Sequence, residues 1–388
     1  MNRMGATVVF VCFLVGCNGS NDGDDAASFS NVMPVSVGES GICTIINQLC
    51  ATVTICQPGT SNCQTVSDVL VDIGSVGLRV FDSVLSMPLT QTVDAQGRPL
   101  GECIFFADGG TTWGPVQVAD VVLGSAPAVR VPIQVINPTF GGQSSSRNPC
   151  NDVVDTDPQL ANFNGILGIG LFRQDCGFLC TMNSSNTLYF SCDGGSCAGA
   201  AVPLVDQVQN PVWMLPSGNN GMVLTLPNVP SAGAPSISGA LILGIGTSAN
   251  NTPPAGISVI TTDENGFVTT VYKGRTFRES IIDSGSNGLF FPDASLPVCA
   301  MQLDAFYCPP TLVNLTGTVI GTNGRQIVVP FQVANAESLV ETRNAAFNNL
   351  AGEFSIFDWG LPFFFGRSVF VGIEGQSSSL GTGPFFAF

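Results

Sequence analysis

Val71-Asp72-Ile73-Gly74-Ser75-Val76-Gly77-Leu78-Arg79 and Ile282-Asp283-Ser284-Gly285-Ser286-Asn287-Gly288-Leu289 are two versions of one phrase, set 211 positions apart. Counted from each leading Asp to the Asp ten residues on (Asp82 and Asp293), six of eleven positions are identical. The aliphatic pairs Leu70-Val71 and Ile281-Ile282 precede each Asp, as at the end of a buried strand. Glycine two residues after each Asp permits a tight turn and a close approach. The Ser that follows it can donate to the carboxylate. Two such loops brought face to face hold two carboxyls too close for both to ionise; one keeps a proton, and the pair can activate water. Asp72 and Asp283 are therefore the candidate catalytic residues, with Gly74, Ser75, Ser284, Gly285 and Ser286 as their supports. Asp82 and Asp293 read as capping or turn residues.

The composition narrows the chemistry further. The chain of 388 residues contains no histidine, which excludes a Ser-His-Asp triad, a Cys-His nucleophile and His-ligated metal sites. Ser75 and Ser286 are thus supports and not nucleophiles, since no base is at hand. Acid–base work falls to carboxylates, tyrosines or thiols, and no metal or organic cofactor is implied. The net charge of −16, with Lys273 the only lysine, leaves no basic face for phosphates, so nucleic acid is not an expected partner. Hydrophobic residues at 45% against 10% charged argue for an ordered core. Forty-five glycines and 25 prolines favour short strands and turns.

The N-terminus reads as a lipoprotein signal over residues 1–16: Arg3, an apolar run from Ala6 to Phe13, then Leu14-Val15-Gly16-Cys17. This stretch resembles a bacterial lipobox, which implies cleavage before Cys17 and lipidation of its thiol. Residues 17–34 then form a lipidated cysteine and flexible tether. Asn18 after the cysteine implies the outer membrane of a Gram-negative bacterium, reached through the lipid anchor alone. Setting Cys12 and Cys17 aside leaves twelve cysteines, an even number that suits six disulfides in an exported chain. Cys56 with Cys63 and Cys299 with Cys308 are local candidates. The cluster Cys176, Cys180, Cys192 and Cys197 could also bind zinc through four thiolates, although an oxidising compartment favours disulfides.

Strand material dominates the chain beyond the tether. Cys43 to Val53 and Leu70-Val71 read as strands, and Phe105 to Val122 as a hairpin turning at Asp108-Gly109-Gly110. Asn164 to Gly170 is an apolar strand ending in glycines, and Cys176 to Gly199 a cysteine-laced insertion. The Pro- and Gly-rich stretch from Leu226 to Pro235 divides an N-terminal β lobe, 35–225, from a C-terminal one, 226–388. Gly317 to Val329 reads as a hairpin around Asn323-Gly324, and a short helix is expected near Asn344 to Leu350.

With these features in order, the chain resembles the pepsin-like aspartic peptidases, whose two β lobes each give one Asp-Thr/Ser-Gly-Ser/Thr loop to a central cleft. The resemblance implies an all-β, bilobal pepsin-like double β-barrel and an Asp72–Asp283 dyad hydrolysing peptides between the lobes. It also implies an apolar-apolar-Gly brace behind each loop, matched by Ile166-Leu167-Gly168 and Phe364-Phe365-Gly366. A flap hairpin is implied as well, with Phe106, Asp108, Gly109 and Trp113 as its candidates. Ile73 stands where that family has a hydroxyl residue and removes half of the hydroxyl clasp between the loops.

A closer likeness is to a family of uncharacterised bacterial lipoproteins defined by a domain of unknown function. Those chains pair a lipobox with Val-Asp-x-Gly-Ser-x-Gly-Leu-Arg, here Val71 to Arg79, and with Phe-Ala-Asp-Gly and Trp-Gly-Pro-Val segments, here Phe106 to Gly109 and Trp113 to Val116. The expected function is peptide hydrolysis by a monomeric envelope lipoprotein. The alternatives are an inactive peptidase fold that binds an extended peptide or glycan, and a structural envelope lipoprotein.

Overall fold

Runs of Val, Ile and Leu at alternate positions make strands with one buried face, because successive side chains point to opposite sides. In strand Cys63–Asp72, Val66, Val69 and Val71 are buried, while Leu70 is only partly so. A computed structural model of the chain describes residues 30–39, 41–107 and 109–388. It is 42% strand and 9% helix, an all-β protein with barrel-like sheets. The signal segment, Cys17 and most of the tether lie outside the described residues, as does Asp108.

Two large sheets carry the fold, one of sixteen strands and one of seven. The larger begins around the first Asp loop and continues through Val32–Val37, which pairs in full six-residue register with Ile237–Leu243. That strand also pairs with Gly221–Thr225, so residues 226–235 join two neighbours in one sheet. The core around the first loop is aliphatic, with Val69, Val71, Leu78, Val80, Ile133 and Leu167 all buried. Around the second loop it is aromatic: Phe291 stacks on Phe357 at 5.1 Å, and Phe357 meets Trp359 at 4.6 Å.

Six disulfides join Cys43–Cys50, Cys56–Cys63, Cys103–Cys150, Cys176–Cys180, Cys192–Cys197 and Cys299–Cys308. The four-cysteine cluster is therefore two bridges and no thiolate site. Two element expectations are corrected. The strand expected from Cys43 starts at Cys50, since the Cys43–Cys50 bridge closes a turn before it. The short helix lies at Ala336–Glu341, where the Asn335 side chain accepts from Ser338 N–H and caps it; residues 344–350 are not helical.

Behind the first loop lies a buried polar cluster. Arg79 is 1% exposed, and its Nη2 meets Glu102 at 3.0 Å and Asp175 at 3.3 Å. Tyr189 donates to Asp175 at 2.6 Å and accepts from Val208 N–H at 2.8 Å. One cation faces two carboxyls, so burial first of all, together with the Asp175 charge and against the pull of Arg79, holds the Glu102 carboxyl well above the usual range. Arg79 Nη1 also donates to Val76 O at 2.7 Å and so props the chain that leaves the first Asp loop.

Candidate active site

Six strands, β1 (Cys63–Asp72), β2 (Val76–Phe81), β3 (Gly165–Ile169), β4 (Arg275–Ile282), β5 (Leu289–Phe290) and β6 (Asp358–Trp359), form two matching units. β3 runs parallel to β1 and antiparallel to β2, pairing Leu70 and Arg79 with Ile166 and Asp72 with Gly168. β6 does the same for β4 and β5, pairing Ile281 and Phe290 with Asp358. The brace of the second loop is thus Asp358-Trp359-Gly360, which corrects the expectation of Phe364-Phe365-Gly366. That segment instead follows a 3-10 turn at Leu361–Phe363, where Phe365 bridges to Leu226. A Cβ on Gly168 would come within 2.8 Å of Ser75 Oγ, and one on Gly360 within 2.7 Å of Ser286 O, so each brace closes on its loop through a glycine.

These units deliver Asp72 and Asp283 to one place. Gly74 N–H donates to Asp72 Oδ1 at 2.7 Å and to Asp283 Oδ1 at 3.1 Å, spanning both carboxyls. A Cβ on Gly74 would lie 2.6 Å from Asp283 Cγ, and one on Gly285 would lie 2.8 Å from Asp72 Oδ1. Each loop's glycine therefore makes room for the other loop's Asp. Ser284 Oγ accepts from Ile73 N–H at 3.1 Å and donates to Val71 O at 2.8 Å. This is one half of a clasp across the loops; Ile73, buried and apolar, gives no other half.

The donors are unequally shared. Asp283 accepts from Gly74 N–H, Gly285 N–H (2.7 Å), Ser286 N–H (3.1 Å) and Ser286 Oγ (2.8 Å). Ser75 Oγ, in the equivalent place beside Asp72, is buried and outside hydrogen-bond geometry with any described residue. Hydrogen bonds to a carboxylate favour its charged form, so the pair's single charge rests best on Asp283 and its proton on Asp72. Burial, then the Asp283 charge and its hydrogen-bonding contact, raise the Asp72 carboxyl well above the ordinary value. Gly74 N–H and the nearby Ser75 hydroxyl oppose this only in part.

Both carboxyls lie on the floor of a cleft of about 420 Å³ whose apolar wall includes Ile45, Leu70, Phe106, Phe163, Ile166 and Phe290. Of the flap candidates, Phe106 lines this cleft, and Gly109 sits in the turn between strands Leu100–Phe105 and Thr111–Leu123 at φ 90°. Trp113 does not reach the cleft: it is fully buried beneath the hairpin, against Phe140 and Phe190. A larger hollow of about 670 Å³, lined by Tyr272, Lys273, Phe363 and Arg367 among others, has no carboxylate in its wall. Asp293 is more than a turn residue. It accepts from Tyr272 OH at 2.5 Å and Lys273 Nζ at 2.8 Å; burial alone would raise its carboxyl, but these partners and Ser295 bring it to about 2. Asp82 opens a 3-10 turn and accepts from Asn137.

Fold and site together define an all-β protein with a buried carboxyl pair on the floor of a cleft. Residues 27–388 match the family described as "Protein of unknown function (DUF3443)", and the chain belongs to that family. No curated protein matches it.

Proposed function

We propose that this protein is a pepsin-like aspartic peptidase of bilobal fold, hydrolysing peptides in the cleft above Asp72 and Asp283. The observation that carries the reading is the shared Gly74 N–H, with each loop's glycine packed on the other loop's carboxyl. In this scheme Asp283 takes a proton from water as its oxygen bonds to the peptide carbonyl carbon, while Asp72 gives its proton to the carbonyl oxygen. On collapse the C–N bond breaks, Asp283 passes its proton to the leaving nitrogen, and a hydroxyl proton returns to Asp72. Cleavage of a peptide library by the oxidised protein, scanned from pH 3 to 7 beside Asp283→Asn, tests it. Products from the wild type alone support the peptidase; none from either, with both folded, removes it.

Ile73 favours a second reading, in which the same cleft binds an extended peptide or glycan without cleaving it, because the clasp holding the dyad is half made. The two readings part at Ile73→Thr. If the missing hydroxyl is what limits the dyad, its hydrogen bond, of about 1 kcal/mol, raises cleavage roughly fivefold. No gain in a folded variant supports binding alone.

The lipobox, Leu14-Val15-Gly16-Cys17, is the basis for proposing an envelope location through a lipid anchor. Palmitate incorporation in a bacterial host is expected for the wild type and lost in Cys17→Ala; equal incorporation in both removes the anchor.

A further inference from the structure

Besides Ile73 and Ser284, the pseudo-symmetry of the two halves is broken at a buried position in their braces. Ile166 and Asp358 occupy equivalent places: each pairs with the residue two before its loop's Asp (Leu70, Ile281) and with the residue seven after it (Arg79, Phe290). The first brace carries a hydrocarbon there and the second a carboxyl. Asp358 is 2% exposed, and its Oδ1 has no hydrogen-bond partner among the described residues. It makes no salt bridge among them either. Asp283 and Asp72 act to raise its carboxyl and the Ser286 hydroxyl to lower it, with no cation among the groups acting on it.

Ser286 bonds Asp283 and is also among the groups that act on Asp358. A serine hydroxyl has one proton to give and two lone pairs to receive with. That proton is directed to Asp283 Oδ2 at 2.8 Å. A carboxyl that shares this hydroxyl must then supply its own proton. We propose that Asp358 is a positioning residue that keeps its proton, donates to Ser286 Oγ, and so commits the Ser286 hydroxyl to Asp283 as the charged member of the dyad. The inference rests on the hydrolytic reading of the same site and adds a third carboxyl to it. Burial, and then the Asp283 charge, hold the Asp358 carboxyl well above its ordinary value, in keeping with a retained proton. Each bond in such a chain polarises the next, so the effect falls on the ionisation of Asp283.

The test reads that ionisation without needing turnover. An aryl glycidyl ether is opened by an ionised carboxylate, giving an ester on Asp283 that peptide mass mapping locates. Labelling rates are measured from pH 3 to 8 for the full chain, Asp358→Asn and Asp358→Ile, the last copying Ile166. Asn keeps a donor towards Ser286, so its acid midpoint should match the wild type. Ile removes the donor, so its midpoint should rise by about half to one pH unit. Wild-type midpoints in both folded variants, or equal rises in both, overturn the inference.

A second arm tracks stability. A carboxyl whose folded-state value is raised stabilises the fold while protonated, and that contribution is lost as pH rises through the folded-state value. Asp358→Asn cannot lose it, so its advantage over the wild type should grow from pH 4 upward. Equal stabilities from pH 3 to 8 overturn the inference whatever the labelling shows. No labelling of wild-type Asp283 at any pH removes the dyad reading and this inference with it.

Discussion

Asp283→Asn is expected to lower peptide cleavage by about 10²- to 10⁴-fold across the whole pH range, with the fold intact. An amide has nearly the shape of the carboxyl, so the glycine packing of the opposite loop is kept. An Asn carbonyl oxygen in the Oδ1 place keeps the Gly74 and Gly285 N–H donors, and its NH2 in the Oδ2 place can donate to Ser286 Oγ, leaving only Ser286 N–H without its acceptor. What is lost is the base. Asp72→Asn should also be inactive, for a different reason: it mimics the protonated member but has no proton to give.

Stability separates these losses from unfolding. Asp72 has a raised folded-state value, so the wild type is favoured at low pH and loses that contribution as pH rises. Asp72→Asn should therefore be at least as stable as the wild type at pH 7, measured by urea denaturation. Asp283→Asn that cleaves at more than a tenth of the wild-type rate would show that the dyad is not the catalyst.

The second large effect is one of stability. Arg79→Met should cost about 3–5 kcal/mol near neutral pH, because it leaves Glu102 and Asp175 buried with no cation. Glu102 is fully buried and Asp175 nearly so, so neither can recover its loss from solvent. Glu102, whose carboxyl burial already holds well above the usual range, takes up a proton as pH falls and sheds its unpaired charge, so the cost should shrink. Met supplies comparable volume, which keeps cavity formation from dominating. A cost below about 1 kcal/mol at pH 7 would mean that Arg79 is not what balances the cluster. Because Arg79 also holds Val76 O, the variant should loosen the first Asp loop before the whole chain unfolds.

The Asp loops were legible in the sequence because the same small residues recur at the same spacing, and the glycines prove to be the contact points. The second brace was hidden by its own peculiarity. A search for apolar-apolar-Gly passes over Asp358-Trp359-Gly360 and stops at Phe364-Phe365-Gly366, whereas strand register, which decides the matter, is set by long-range pairing. Trp113 misled for a related reason. Lying in a hairpin beside a cleft does not say which face a side chain takes, and its face packs on Phe140 and Phe190. Local cysteine pairs could be read from spacing, but Cys103–Cys150 closes across 47 residues and needed the fold. The Arg79 cluster draws on four separated segments, and no motif announces it.

The pairing of Val32–Val37 with Ile237–Leu243 bears on how the chain is made. Val32 meets Ile242, so the first strand of the structure cannot complete its sheet until some 210 residues have followed it. Until then it has only Ala51 and Cys50 beside it, through two residue pairs. A ribosome or export channel that releases the chain from its N-terminus thus releases early a strand whose main partner arrives late. The early disulfides, Cys43–Cys50 and Cys56–Cys63, can close within that waiting segment, but the six-residue pairing is completed only after residue 243 emerges.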